Sequence, residues 1–209
     1  MEIKELHLEL FTKEFHELLL KIMKNSEFNF FYLVGGTALA LYLGHRKSID
    51  IDLFTELEFN ERRIASILEN EYRGQQINIE KGTVAYSIND IKAEFFLHQY
   101  PLVGSLSHIS GIRLCSIEDL CAFKLNAIMG RGSKKDFWDL AYLLKIYPLE
   151  KQIEFFQKKY HNANLWHLQK SLSFFEDADN EGTEILDDSV LSWQEVKEKI
   201  REEILNYEF

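Results

Sequence analysis

Two adjacent glycines, Gly35 and Gly36, separate a short apolar run from a segment rich in alanine and leucine. The run from Phe30 to Val34 predicts a buried strand, and the segment from Thr37 to Leu43 predicts a helix that begins directly after the glycines. Glycine lets the backbone approach a phosphate closely, and a helix N-terminus offers free N–H groups and the positive end of its dipole. This segment therefore predicts a strand–turn–helix unit that can hold phosphates.

The next predicted strand, Ser48 to Phe54, carries two aspartates at alternating positions. Period-two geometry places Asp50 and Asp52 on one face and puts three apolar residues on the other, namely Ile49, Ile51 and Leu53. Two neighbouring carboxylates repel each other, and a divalent cation removes that cost. Mg²⁺ (or Mn²⁺) held by one or two carboxylates and by substrate phosphate oxygens suits such a pair. The pattern predicts a metal site at Asp50 and Asp52.

The remaining pattern divides the chain into an α/β core over residues 1–110 and a helical lobe over residues 111–209. In the core, helices are predicted over 4–25 and 60–71, and a β-meander over 77–80, 83–88 and 91–98. In the lobe, helices are predicted over 117–129, 134–146, 150–160, 163–175 and 192–207, and an acidic loop over 177–188. Trp166 and Trp193 are expected in the core of this lobe.

Composition limits the function classes. Hydrophobic residues make up 46% of the chain, which is ample for a buried core. The net charge of −10 argues against general coating of nucleic acid but leaves a nucleotide substrate open. Cys115 and Cys121 are expected to be reduced thiols, and no zinc-ligand spacing, P-loop or Gly-x-Ser-x-Gly turn is present. With no signal-like or membrane-length apolar run, we expect a cytoplasmic protein with no membrane association.

Two charged residues interrupt apolar helix faces in the lobe. Lys124 lies within the stripe of Leu120, Cys121 and Ile128, and Asp136 lies within the stripe of Leu140, Leu143 and Leu144. Both could face one polar site. Two structural alternatives stay open at this point: a capping box from Ser133 to Asp136, and a structural ion pair between Lys124 and Asp136.

The order and spacing of Gly35-Gly36-Thr37, a helix and then Asp50-Ile51-Asp52 resemble the AbiEii/AbiGii toxin family of nucleotidyltransferases. That family belongs to the DNA polymerase β-like superfamily. The resemblance implies an α+β fold of that type, with a mixed or antiparallel sheet and a helical C-terminal lobe. It also implies a third acidic residue on a later strand. Glu94 fits that position, the alternative being a surface glutamate on a half-buried strand.

The resemblance extends into the lobe. The order Lys124, Arg131, then Lys135-Asp136-Phe137-Trp138-Asp139 is similar to the family's second signature. It implies that Lys124 and Asp136 contribute to activity and that Arg131 contacts a phosphate. In the core, it implies metal ligation by three acids, Asp50, Asp52 and Glu94. It also implies nucleotide contacts from the glycine turn and the arginine beside it, namely Gly35, Gly36, Thr37 and Arg46.

The implied activity is transfer of a nucleoside monophosphate from an NTP to an acceptor, with Mg²⁺ and release of pyrophosphate. The resemblance implies RNA such as tRNA, or protein, as the acceptor. It further implies the toxin role of a toxin–antitoxin or phage-defence system, with a cognate antitoxin as partner. Two alternatives remain at this point: transfer to a small molecule, as in antibiotic nucleotidyltransferases, and a catalytically silent binding module of the same fold.

Overall fold

The computed structural model describes residues 5–182 and 191–208. The chain divides into two compact units. The sheet unit comprises Met1–Pro101 and Ser105–Cys115, and the helical unit comprises Leu102–Gly104 and Ser116–Phe209. The predicted boundary after residue 110 lies in the turn of a β-hairpin that belongs to the sheet unit.

The described part of the sheet unit contains one mixed seven-stranded sheet, in the order β3-β4-β5-β2-β1-β7-β6. The strands are β1 Tyr32–Leu33, β2 Ile51–Thr55, β3 Gln75–Glu80, β4 Thr83–Ile88, β5 Ile91–Leu97, β6 Ser107–Ile109 and β7 Ile112–Leu114. β2 pairs in parallel with β5, and β1 pairs in parallel with β7, whereas the other neighbours are antiparallel. The predicted fold class, with a mixed sheet, is confirmed.

The predicted meander is present as β3, β4 and β5, joined by tight turns. Gly82 has φ +74° in the first turn, and Asn89 and Asp90 have φ of 51° and 62° in the second. Consecutive positive φ angles are typical of the hairpin turns that match strand twist. The β6–β7 hairpin was not predicted, because three-residue strands are too short to show an alternating pattern.

Three α-helices accompany the sheet: α1 Lys13–Lys24, α2 Gly35–Leu43 and α3 Glu61–Tyr72. α1 begins later than the predicted residue 4, because Thr12 caps it by accepting a hydrogen bond from the Phe15 amide at 3.2 Å. The aromatic core of this unit centres on Phe95, whose ring lies 5.0 Å from those of Phe28 and Phe31.

The described part of the helical unit contains α4 Ile117–Gly130, α5 Lys134–Leu143, α6 Leu149–Lys159, α7 Leu165–Ser173, α8 Glu176–Asp179 and α9 Trp193–Leu205. α4 packs against α5, α6 and α7, and α9 packs against α5 and α7. The five predicted helices are confirmed. The predicted loop over 177–188 begins inside α8, and its residues 183–188 lie outside the described residues.

Aromatic side chains form the core of the helical unit. The rings of Trp138 and Trp193 stack with centroids 6.4 Å apart, and Phe137 and Phe175 pack against Trp193. The expectation for Trp166 was wrong, because its side chain is 61% exposed. Both cysteines are free thiols and buried, as predicted. Of the described helices, none is long and apolar enough to span a membrane.

Candidate active site

The predicted aspartate pair lies at the start of β2. Asp50 directly precedes the strand and Asp52 is its second residue, and both side chains are partly exposed. Ile51 and Leu53 are fully buried on the opposite face, as predicted. Ile49 was predicted on the same face as Ile51 and Leu53, but it is 64% exposed, because the strand begins only at Ile51.

Glu94 lies beside Asp52 on the neighbouring strand. β5 runs parallel to β2 with Glu94 in register with Asp52. Strands in a sheet lie about 4.8 Å apart, so register partners present side chains on one face. The Glu94 side chain is 17% exposed, which does not fit an ordinary surface glutamate.

Gly35 provides the space for the Asp52 carboxylate. Its φ of +69° is a conformation that other residues adopt only with strain. A Cβ at this position would also overlap Oδ2 of Asp52 and lie 3.3 Å from its Cγ. Since Gly35 is the first residue of α2, the carboxylate lies at the N-terminal end of that helix. A positive helix end stabilises a negative charge at this place.

Gly36 provides a similar space for a cation. A Cβ there would overlap Nη2 of Arg46 and lie 3.2 Å from its Cζ. Arg46 is 5% exposed, and its Nη1 donates to the carbonyl oxygen of Lys47 at 2.8 Å. The two glycines therefore bring one carboxylate and one guanidinium close to the backbone of a single turn.

Thr37 connects α2 to the chain that enters β2. Its buried hydroxyl donates to the carbonyl oxygen of Asp50 at 2.5 Å, and Ser48 Oγ lies 2.9 Å from it. The sequence suggested that Thr37 holds the triphosphate. The observed contacts favour a different role, because this hydroxyl fixes the backbone from which the Asp50 side chain extends.

Lys92 is a site residue to which the sequence analysis assigned no role. It lies two residues before Glu94 on the same face of β5, and its Nζ is 2.5 Å from Glu94 Oε2. The hydrogen bond with Glu94 raises the pKa of Lys92, burial opposes that change, and the charges of Glu94, Asp50 and Asp52 raise the pKa further. One ammonium group thus contacts the Glu94 carboxylate and lies within electrostatic range of those of Asp50 and Asp52.

The donor atoms of this face suit a hard divalent cation, since Mg²⁺ prefers carboxylate oxygens. The space beside Gly35 lets Asp52 approach the N-terminal end of α2, and helix N-termini in general suit phosphate groups. Within residues 5–182 and 191–208, however, no three acidic, histidine or cysteine side chains are already grouped to hold an ion. The residues that would hold one are Asp50, Asp52 and Glu94, once the contact between Glu94 and Lys92 opens.

In the helical unit, Lys124 and Asp136 form an ion pair. Lys124 Nζ lies 3.0 Å from Asp136 Oδ1 and 2.6 Å from Asp139 Oδ2, and all three side chains are almost fully buried. The ion-pair alternative is therefore confirmed. The capping box is not formed, because the Ser133 hydroxyl makes no bond to the helix backbone and donates instead to Asp136 Oδ2 at 2.7 Å.

Asp136 in turn holds Arg131. Nε and Nη2 of Arg131 donate to the two oxygens of Asp136 at 2.8 and 3.1 Å. Burial alone would raise the pKa of Asp136, but Lys124 and Arg131 together lower it well below its usual value. The Arg131 side chain remains 60% exposed. The buried pair therefore supports an arginine that faces solvent.

A second buried ion pair in the helical unit was not predicted. Lys159 Nζ lies 2.8 Å from Asp119 Oδ1, and both side chains are fully buried. Asp119 also accepts hydrogen bonds from the amides of Val103 and Gly104 and from the Ser116 hydroxyl. A carboxylate with this many donors has a structural role, joining the loop between β5 and β6 to the start of α4 and to α6.

The helical unit also contains an open cavity of about 710 Å³. Its lining includes the exposed side chains Arg131, Trp166 and Phe174, together with Lys170. Lys170 Nζ lies 3.7 Å from the centroid of the Trp166 ring. The cavity thus combines cationic and aromatic groups.

The chain is similar to proteins from two bacteria. An uncharacterized protein of Aquifex aeolicus (strain VF5) is 35% identical over 204 residues, which are 93% of this chain and 96% of that protein. Among solved structures, a candidate nucleotidyltransferase from H. pylori has a TM-score of 0.55 at 20% identity, covering 94% of this chain and 95% of that one. JHP933 from Helicobacter pylori has the same TM-score at 21% identity, with coverage of 94% and 92%. Both structural likenesses support the fold.

Residues 17–206 match the nucleotidyl transferase AbiEii toxins of type IV toxin–antitoxin systems. That match includes the glycine turn, the aspartate pair, Glu94 and the Lys124–Arg131–Asp136 signature. The chain therefore belongs to the AbiEii family of nucleotidyltransferase toxins.

Proposed function

We propose that this protein transfers a nucleoside monophosphate from an NTP to a macromolecular acceptor in a divalent-metal-dependent reaction. The observation that carries the proposal is the register of Asp52 with Glu94 on one sheet face, beside a glycine turn that admits the Asp52 carboxylate. If the turn had only a structural role, there would be no need for the Asp52 carboxylate to lie so close to Gly35 that any Cβ there would overlap it.

Asp50, Asp52 and Glu94 are the proposed metal ligands. Mg²⁺ bound there would neutralise charge on the triphosphate and on the leaving pyrophosphate. Glu94 would also accept the proton of the acceptor hydroxyl, whose oxygen forms a bond to the α-phosphorus. The bond from that phosphorus to the bridging oxygen of the β-phosphate breaks, and pyrophosphate leaves.

The cationic residues have proposed roles in binding phosphates. Arg46 lies against Gly36, so it places positive charge at the turn where the triphosphate would bind. Arg131 is held by Asp136 and exposes most of its side chain, which suits contact with a substrate phosphate. Lys124 and Asp136 act as positioning residues for Arg131, and Thr37 acts as a positioning residue for Asp50.

RNA such as tRNA, or protein, is the proposed acceptor, and a cognate antitoxin is the proposed partner. Membership of a toxin family supports both. The exposed Trp166 and the cations of the helical cavity support an RNA acceptor, because aromatic rings stack with unpaired bases. The net charge of −10 supports a protein or small-molecule acceptor.

The test is an incorporation assay with Mg²⁺, each α-labelled NTP, and separate RNA, protein and metabolite fractions. We expect label in one fraction with the wild type. With Asp52→Asn we expect the rate of labelling to fall at least a hundredfold, because removing one electrostatic group of an active site typically lowers kcat by about 10²–10³. Asp90→Asn is the matched control, because Asp90 is exposed in a turn of the same sheet where its positive φ also suits asparagine.

Three results would contradict parts of the proposal. Equal labelling by the wild type and Asp52→Asn would remove the catalytic assignment. Label in the metabolite fraction alone would favour the small-molecule alternative. Absence of label in every fraction, with antitoxin binding retained, would favour the silent binding module.

A further inference from the structure

Lys92 has an unusual position for a cation, because it lies beside the proposed metal ligands. Its ammonium group contacts Glu94 at 2.5 Å, and the charges of Asp50 and Asp52 also act on it. β4 and β2 flank β5, so both Lys92 and Glu94 extend from the interior of the sheet. The backbone of β5 therefore limits the positions that the Lys92 ammonium group can occupy.

The side chain of Lys92 is partly buried, with 41% of its area exposed. A lysine that serves only solubility normally extends into water, where its ion pairs contribute little. Lys92 instead lies beside a glutamate that is 17% exposed. Three carboxylates without a cation would repel one another strongly in such partly buried surroundings.

We propose that Lys92 acts as an internal counter-ion that occupies the carboxylate site before the metal binds, and that metal binding displaces it from Glu94. This inference rests on the proposed function, because it takes Asp50, Asp52 and Glu94 as the metal ligands. Lys92 is thus a positioning residue that sets the metal affinity and stabilises the metal-free protein.

Two consequences follow from simple electrostatics. A metal ion must break the Lys92–Glu94 contact, so the lysine weakens metal binding. In the metal-free protein the same lysine offsets the repulsion among the carboxylates, so its removal destabilises that state. A structural lysine with no relation to the metal would show only the second effect.

The test compares the wild type with Lys92→Met, which keeps an unbranched side chain of nearly the same length and removes its charge. Mn²⁺ binding is measured directly from the electron paramagnetic resonance signal of free Mn²⁺, without NTP or acceptor. We expect Lys92→Met to bind Mn²⁺ roughly two- to fivefold more tightly, in line with the modest strength of partly exposed ion pairs. In EDTA, we expect a lower Tm for Lys92→Met and a larger rise of Tm on adding Mn²⁺.

Two further variants control for charge and for folding. Lys81→Met removes one positive charge from the exposed turn between β3 and β4 and should leave Mn²⁺ affinity unchanged. Lys92→Arg keeps the positive charge and should bind Mn²⁺ like the wild type. A change seen with Lys92→Met and absent with Lys92→Arg is then due to the lost charge and not to a disturbed fold.

Equal or weaker Mn²⁺ binding by Lys92→Met, with normal binding by the wild type, would overturn the role of Lys92 and leave the proposed transferase intact. Tighter binding by both Lys92→Met and Lys81→Met would also overturn it, because the effect would then be one of net charge. Absence of Mn²⁺ binding by wild type and Lys92→Met alike would overturn it together with the proposed metal ligands.

Discussion

Removal of the Lys124 charge provides a quantitative test of the buried network in the helical unit. Lys124→Met leaves Asp136 and Asp139, both with fully buried side chains, without the ammonium that lies 3.0 and 2.6 Å from their oxygens. Removing one partner of a buried pair costs about 3–5 kcal/mol, because a buried charge is left uncompensated. Domains of this size are stable by about 5–15 kcal/mol, so the loss would be a large fraction of the total.

The matched control is Lys151→Met, the same substitution in an ion pair with Glu154 whose side chains are about half exposed. Such a pair contributes roughly 0.2–1 kcal/mol. Unfolding by urea is followed by tryptophan fluorescence, which reports on the helical unit because all three tryptophans belong to it. Adding Asp139→Asn to Lys124→Met should restore part of the lost stability, because one of the two buried carboxylates that lost the ammonium then carries no charge.

The stabilising role of Lys124 is refuted if Lys124→Met lowers the free energy of unfolding no more than Lys151→Met does. It is also refuted if adding Asp139→Asn makes the Lys124→Met protein still less stable. Activity per folded molecule distinguishes the proposed positioning role from direct catalysis. A positioning role predicts that Lys124→Met and Arg131→Ala weaken the same kinetic parameter, whereas direct catalysis by Lys124 predicts a fall in kcat that Arg131→Ala does not reproduce.

Other outcomes follow from the site and its supports. Gly35→Ala should lower the free energy of unfolding by about 1–3 kcal/mol and displace the Asp52 carboxylate, because Gly35 has a positive φ and a Cβ there would overlap that side chain. Gly130→Ala is the control: nothing lies within 4 Å of a Cβ at that position, so the same urea unfolding experiment should show no loss of stability. Thr37→Val should cost about 1–2 kcal/mol and reduce kcat, since the Asp50 carbonyl loses its buried donor; unchanged kcat would exclude the positioning role. The lowered pKa of Asp136 contributes stability that is present above the ordinary aspartate pKa of 3.8 and is lost as the pH falls from there towards the lower folded-state pKa. Unfolding curves between pH 5 and 2.5 should therefore show a shallower acid limb for Asp136→Asn.

The sequence was informative where residue type and spacing have direct geometric meaning. The helix predicted from Thr37 is present and begins two residues earlier, at Gly35, and Asp52 lies on the predicted strand. Period-two alternation also placed Lys92 and Glu94 on one face. These features follow from local stereochemistry, which neighbouring residues determine.

Other features depend on contacts between distant segments. The sequence contained no sign that the Asp119 carboxylate would meet Lys159, because these residues lie on separate helices. The Thr37 hydroxyl was expected to face a ligand, but its partner is the backbone before β2. Trp166 was expected in the core from its size alone, although α7 buries Leu168 and Leu172 and leaves this ring exposed.

The position of β2 between β5 and β1, in the interior of the sheet, limits how fast its backbone amides exchange with solvent. Amides in the interior of a sheet exchange with solvent only through large openings of the fold, so the backbone at Asp52 should be among the slowest to exchange in the sheet unit. Its carboxylate and that of Glu94 can still change rotamer within nanoseconds where they are exposed. The side chains of the proposed metal ligands would thus rearrange around an incoming ion much faster than the backbone of β2 opens.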